Sequence, residues 1–251
     1  MSSLAFMGFF CLAEGKRVMT TRPNSTRIWH AHYTSTVQCA NGTFLPANIR
    51  VYSPMNDVPH PDNTIAYVYA RAHITNDLTV LMDASEIIAC PGDPDDDSYQ
   101  DSVPDMPNPF LIALGHVSGK ASHLPDGSRS FPLAASEYVR DNTHLSTIRC
   151  APCSFTFPHF LMSFCSAIFS SSSPRWKNTN VPFPGSIVLI IGHCSRILDG
   201  TNLAVDIENI VLNVPTSPDS ALSPSEGEQA AAAGKKRKFS AMASSKTPSQ
   251  K

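Results

Sequence analysis

Thr64-Ile-Ala-Tyr-Val-Tyr-Ala-Arg-Ala-His-Ile74 and Leu78-Thr-Val-Leu-Met-Asp-Ala-Ser-Glu-Ile-Ile88 are joined across Asn76-Asp77. Their likeness comes late in the chain, in Ser186-Ile-Val-Leu-Ile-Ile-Gly-His-Cys-Ser-Arg-Ile197 and Leu203-Ala-Val-Asp-Ile-Glu-Asn-Ile-Val-Leu-Asn-Val214, joined across Asp199-Gly200. Both follow one plan: an apolar run, a polar turn with Asp, and a second run bearing Asp (Asp83, Asp206). Ile (Ile87, Ile210) and a closing Pro (Pro91, Pro215) follow. Runs of this length, bounded by turn residues, read as paired strands. Two such hairpins are either an internal duplication or a chance likeness, and each would close one β unit.

Further strands lie outward of these hairpins. Residues 25–37 are rich in β-branched and aromatic types, Asn41-Gly42 is a hairpin signal, and 43–53 would return as the partner strand. In the second unit, strands are expected at Phe110–Val117, 129–139 and 144–150, with a turn near Pro125-Asp-Gly127. Pro158–Phe169 reads as a short helix opened by its Pro or as an irregular insertion. Between the units, residues 91–109 hold six Asp, five Pro and no Lys or Arg, a composition that cannot bury a core and marks a linker. The apolar opening Leu4–Ala13 has the length of a signal-peptide core but no basic residue ahead of it.

Composition narrows the class. At 251 residues and 42% hydrophobic the chain can bury real cores, and its 21 prolines favour short strands and turns over helices. The seven cysteines are odd in number and scattered, so reduced thiols are expected. The net charge of −2 is unevenly spread. Residues 215–251 hold six Lys/Arg against three acids, 1–90 hold six against six, and 110–214 hold seven against six. Neither unit has the positive excess of a strong duplex-DNA binder. No apolar run approaches the roughly 20 residues of a membrane-spanning helix, so no membrane partner is expected.

Three strands, an optional helix and a closing hairpin is the order of the OB-fold, a small Greek-key barrel. Residues 110–214 resemble one such barrel, and residues 17–90 a first, less complete one in which four strands are clear. Gly185–Gly192 and Phe110–Val117 are similar to core strands of the replication-protein-A type. The body also resembles a group of uncharacterised fungal proteins through Pro91-Gly-Asp-Pro94, Val103-Pro-Asp-Met-Pro107 and Glu137-Tyr-Val-Arg-Asp141. The fold class expected is therefore mainly β: two OB-like Greek-key barrels in tandem, with a disordered tail over 215–251. The resemblance implies binding of single-stranded nucleic acid or of a protein.

Catalytic signatures do not emerge. Gly115-His-Val-Ser-Gly-Lys120 has three residues between its glycines where a phosphate-binding loop needs four, and Ala121 follows the Lys. Cys150 and Cys153, with His159 and Cys165, have a spacing that could hold zinc, but a second close pair is missing and four phenylalanines surround them. The histidines at 30, 32, 73, 116 and 193 fall in expected strands with no acid placed beside them. No cofactor, no metal and no enzymatic step are expected.

Single-strand binding asks for aromatic stacking platforms beside cations. Alternation puts Arg27, Trp29, Ala31 and Tyr33 on one side of a strand, and Tyr67, Tyr69 and Arg71 on one side of another. Arg175, Trp176 and Lys177 form a third candidate in polar surroundings. In the tail, Lys235, Lys236, Arg237 and Lys238 read as a nuclear-import address for an import receptor, or as a generic basic patch. The expected function is a nuclear OB-fold protein binding single-stranded DNA by stacking and phosphate contacts. The alternative is a nuclear protein-interaction module.

Overall fold

The apolar opening of the chain is the central strand of the molecule. The structure is a computed structural model that describes residues 2–21, 27–54, 57–123, 129–152, 179–198 and 202–212. Its strands are β1 (Ser3–Thr21), β2 (Arg27–Gln38), β3 (Phe44–Tyr52), β4 (Thr64–Ile74) and β5 (Val80–Ala89), then β6 (Phe110–Val117), β7 (Ser122–His123), β8 (Arg129–Val139), β9 (Asn142–Pro152), β10 (Ile187–Leu198) and β11 (Asn202–Leu212). β1 supplies the strand the sequence reading left unplaced, so the first barrel begins at Ser3 and not at residue 17. Among the described residues no helix is long and apolar enough to cross a membrane. The expected helix at Pro158–Phe169 and the tail at 215–251 lie outside the described residues.

Each set of strands closes on itself. In the first barrel the order runs β1-β2-β3-β5-β4 and back to β1, with β3–β5 the parallel pair. In the second it runs β6-β8-β9-β11-β10 and back to β6, with β9–β11 the parallel pair. These are two five-stranded Greek-key barrels of the OB type. Interior positions take Leu4, Phe6, Ile49, Val68 and Met82 in the first and Leu111, Phe131, Ile148, Ile190 and Val205 in the second, all buried in one continuous core. Residues Met1–Thr216 form one compact unit.

Register resolves the question of repetition. The bulge in the first hairpin falls between Tyr69 and Ala70, and the second hairpin has one between Ile191 and Gly192 and another between Cys194 and Arg196; the first of these is aligned with it. Aligning the bulges matches Asp83 with Asp206 and Ile87 with Ile210, as the sequence plan has them. Phe6 pairs with Ala70 and Leu111 with Gly192, so Phe6 and Leu111 are also counterparts. They face each other across the antiparallel β1–β6 ladder, with Ala5↔Ile112 and Met7↔Phe110 on either side. The two barrels are thus related by a local two-fold through that pair, the arrangement of an isologous dimer within one chain.

Each barrel docks a hairpin on the other. The β2–β3 loop donates from Ala40 N–H to the Cys194 carbonyl (2.8 Å) and from Asn41 N–H to the Ser195 carbonyl (3.1 Å). The β8–β9 hairpin returns the contact: Ser146 Oγ accepts from Ile74 N–H (3.1 Å), His144 stacks on His73 at 4.5 Å, and Arg140 N–H donates to Asp83 Oδ2 (2.8 Å). The linker is also pinned. A 3-10 turn at Tyr99–Ser102 buries the Tyr99 ring, whose hydroxyl accepts from Ile65 N–H (3.1 Å), while its Asp residues stay exposed. Gly92, at φ +126°, leaves room for that ring, which would lie 2.8 Å from any Cβ there.

The counterpart aspartates have unlike surroundings. Arg50, opposite Asp83 on β3, donates Nε to Oδ1 (2.9 Å) and Nη2 to Oδ2 (2.7 Å), with both side chains about nine-tenths buried. Ala151 holds the place of Arg50 opposite Asp206, so no guanidinium faces that carboxyl across the parallel pair. Burial raises the Asp206 pKa to about 6. A raised pKa contributes stability below the ordinary carboxyl range, and that contribution is lost as pH rises through about 6. At pH 7 in urea, Asp83→Asn should cost about 3 kcal/mol by leaving buried Arg50 with Asp141 as its one remaining carboxylate partner among the described contacts, whereas Asp206→Asn should be neutral or stabilising. Equal losses from the two would contradict the unlike pairing.

Candidate nucleic-acid interface

OB barrels take oligonucleotides on the face of their second and third strands. In the first barrel that face is the outside of β2 and β3, continued onto the second half of β1. Three rows cross it by register: Val18–His30–Tyr52, Lys16–His32–Arg50, and Thr34–Asn48. The β8–β9 turn covers the second and third rows, where Arg140 Nη2 donates to the Asn48 carbonyl (2.8 Å) and Nη1 lies 3.5 Å from His32 Nδ1. The first row stays open, with Tyr52 64% exposed.

Trp29 stands beside this row at the mouth of the barrel. It shares the interior parity of Ala31 and Tyr33, but past the end of the core it keeps 40% exposure. The Arg17 guanidinium lies 4.9 Å over the indole and is held by donating Nε to Ser53 Oγ (3.0 Å) and Nη2 to the Pro54 carbonyl (2.5 Å). Ser53 N–H in turn donates to the Trp29 carbonyl (2.9 Å). A cation over one face of the ring contributes about 0.5–1 kcal/mol and fixes its orientation, leaving the rest of the indole to a ligand. Arg27, exposed at the start of β2, and exposed Lys16 supply further charge.

The remaining candidates are placed as follows. Tyr33 is 4% exposed and accepts from His60 N–H through its hydroxyl (3.1 Å), so it is a core residue, a correction to its reading as a stacking platform. Tyr67, Tyr69 and Arg71 do share the outer face of β4, opposite Phe9, Met7 and Ala5 in the first half of β1. Trp29 pairs with Met19 in the other half, so the two sets do not meet. Tyr67 packs edge-on against Phe9 at 5.5 Å, and Tyr69 stands opposite Glu86. Arg175, Trp176, Lys177 and Lys235–Lys238 lie outside the described residues, as do Cys153, His159 and Cys165. Cys150 is fully buried in the second core, and burial pushes its thiol pKa up.

Sequence reasoning missed Arg17, Lys16 and His30 as members of one patch. Asn41-Gly42 and the paired runs around it signalled the β2–β3 register that places His30 beside Tyr52. The role of β1 had no such signal, because Glu14 at φ +52° and a register shift between Ala13 and Lys16 interrupt its alternation.

No protein family and no curated relative matches the sequence. Among solved structures the chain is similar to the wild-type single-stranded DNA binding protein from Thermus aquaticus, with a TM-score of 0.45 and 12% identity over 90% of this chain and 96% of that one. A deletion variant of that protein matches with a TM-score of 0.44 and 12% identity over 87% and 97%. The barrel assignment rests on the strand order and register of this chain.

Burial, followed by Arg140, Arg50, His30 and Lys16, depresses the His32 pKa to about 4. Its contribution to stability is therefore full above the ordinary histidine value of 6.5 and is lost as pH falls toward about 4. Thermal unfolding between pH 7.5 and about 4.5 should show a declining Tm, and His32→Gln should flatten that decline. An unchanged slope in the variant would contradict the placement of the ring.

Proposed function

We propose that the chain binds single-stranded DNA at the open end of the first barrel, by stacking bases on Trp29 and Tyr52 and holding phosphates with Arg27 and Lys16, without a reaction step. The observations that carry the reading are exposed Trp29, backed by Arg17 at the mouth of the barrel, and exposed Tyr52 on the adjoining outer face of β2 and β3, the face on which OB barrels take oligonucleotides. Stacking then supplies most of the affinity, since the barrels are close to neutral overall. A shallow salt dependence follows: two or three phosphate contacts give a log–log slope of about −1.5 to −2.

Fluorescence anisotropy with a labelled oligothymidylate tests this. Trp29→Ala and Tyr52→Ala should each weaken binding by about 1–3 kcal/mol, while the equally aromatic Tyr67→Ala should leave affinity within about twofold. Unchanged affinity in both of the first two variants would overturn the site.

Nuclear residence belongs to the same proposal and is supported by Lys235-Lys236-Arg237-Lys238. Proline-directed phosphorylation at Ser217, Ser223 or Thr247 would place about −1.5 to −2 charges each near that cluster. Changing Lys235–Lys238 to Ala should shift a tagged full-length protein to the cytoplasm in microscopy, and retention in the nucleus would defeat the address.

Docking of a nuclear protein partner is the second reading. It is favoured by the outer face of β5-β4-β1-β6-β10-β11, where Ile88, Tyr69 and Val211 are 52%, 42% and 48% exposed. Absence of any oligonucleotide binding in the anisotropy experiment would turn attention to that face.

A further inference from the structure

With Lys16 at its rim, the seam between the barrels gathers three cations, Lys16, Arg50 and Arg140, about two carboxylates, Asp83 and Asp141. Arg50 engages Asp83 through two short hydrogen bonds and Asp141 through a third, from Nη1 to Oδ2 at 2.8 Å. Arg140 approaches a carboxylate with its guanidinium only at 3.6 Å, between Nε and Asp83 Oδ1. Burial lowers the pKa of that guanidinium, with the Asp83 and Asp141 charges opposing the effect and Arg50 reinforcing it. His32 lies beside Arg140, and its Nε2 is shielded from water with no hydrogen-bond partner in the described structure. Directly across the ladder from His32 stands Lys16, exposed and flexible. The charged groups acting on His32 are Lys16 from β1, His30 from β2, Arg50 from β3 and Arg140 from the β8–β9 turn, with Asp83 from β5 and Asp141 from that turn held against the two arginines. A buried polar atom without a partner is destabilising, and a guanidinium without a close carboxylate adds to that cost.

We propose that Lys16, His32 and Arg140, drawn from both barrels, form a binding site for a phosphate oxyanion, either on a nucleic-acid strand or as free phosphate. The oxyanion enters past the Lys16 side chain and accepts from Lys16 Nζ and Arg140 Nη1. His32 Nδ1 faces the Arg140 guanidinium, which only donates, so the neutral imidazole carries its proton on Nε2 and donates to the oxyanion from the atom that has no partner in the empty seam. The oxyanion's charge also raises the His32 pKa. For a nucleic-acid strand the site rests on the function proposed above. The row Lys16–His32 lies one ladder step, about 7 Å, from Val18–His30–Tyr52. For free phosphate it needs no part of that reading.

The test follows the imidazole resonances of His32 by NMR in the full chain through a pH series from about 7.5 to 4, at matched ionic strength, free and saturated separately with pyrophosphate and with oligothymidylate. The proposal expects the His32 pKa to rise by about one unit or more with either probe, and Lys16→Ala to weaken pyrophosphate about fivefold with the fold intact. A His32 that moves with neither probe, or an affinity for pyrophosphate unaltered by Lys16→Ala, overturns it. Oligothymidylate binding by anisotropy with His32 unmoved also overturns the seam site but leaves the Trp29–Tyr52 reading standing. Movement with pyrophosphate, weakened by Lys16→Ala but without oligothymidylate binding, upholds the seam as a free-phosphate site and removes the stacking reading.

Discussion

The antiparallel ladder between β1 and β6, centred on the Phe6–Leu111 pair, sets the geometry of everything else in the molecule. It fuses two closed barrels into one eleven-stranded sheet and places them about a local two-fold. With that axis in place, the second-to-third-strand hairpin of each barrel reaches the other. Backbone donors of the β2–β3 loop meet the end of β10, and Arg140 and Ser146 of the β8–β9 hairpin meet β5 and β4. The same docking divides the expected ligand face of the first barrel. Half of it becomes an inter-barrel seam, and the half at His30 and Tyr52 stays open, next to Trp29 at the barrel mouth.

The two-fold is obeyed by the backbone and broken by the charges. Asp83 and Asp206 are counterparts, but only Asp83 faces an arginine across its parallel pair, and only the first barrel receives Arg140. That asymmetry makes the barrels inequivalent for binding. In the first barrel, cations gather beside exposed aromatic rings. In the second, the described outer face of β8 and β9 exposes Tyr138 and Leu145 with Arg149 partly buried beside Ser122. The proposed binding, in a near-neutral body, therefore draws on stacking and on local charge, with little from a long-range field.

The strand pairs and the two-barrel plan were legible in the sequence because turn residues bound them and because most strands alternate cleanly. In β4 the small Ala66, Ala70 and Ala72 point inward, so the outward set Tyr67, Tyr69 and Arg71 could be grouped from spacing alone. In β2 the grouping of Trp29, Ala31 and Tyr33 was right as parity, but parity does not say which side is inside. Tyr33 fills the core, and Trp29 escapes only because the core ends before it. The first half of β1 was illegible as a strand. It is apolar on both faces, with Met7 and Phe9 outside and Phe6 and Phe10 inside, as befits a strand with β4 on one side and β6 on the other. The seam was illegible for a different reason. Arg140 and Asp141 form a tight turn at φ +54° and +65°, and nothing local to them indicates that Arg140 docks 57 residues back on Asp83 and Asp141 on Arg50.

Hydrogen exchange of the full chain with and without a saturating oligothymidylate measures the central claim directly. The account predicts slowed exchange confined to residues 16–20, 28–32 and 50–53, which converge at the open end of the first barrel. Protection centred on the outer face of β4, or no change anywhere in the first barrel, would contradict it.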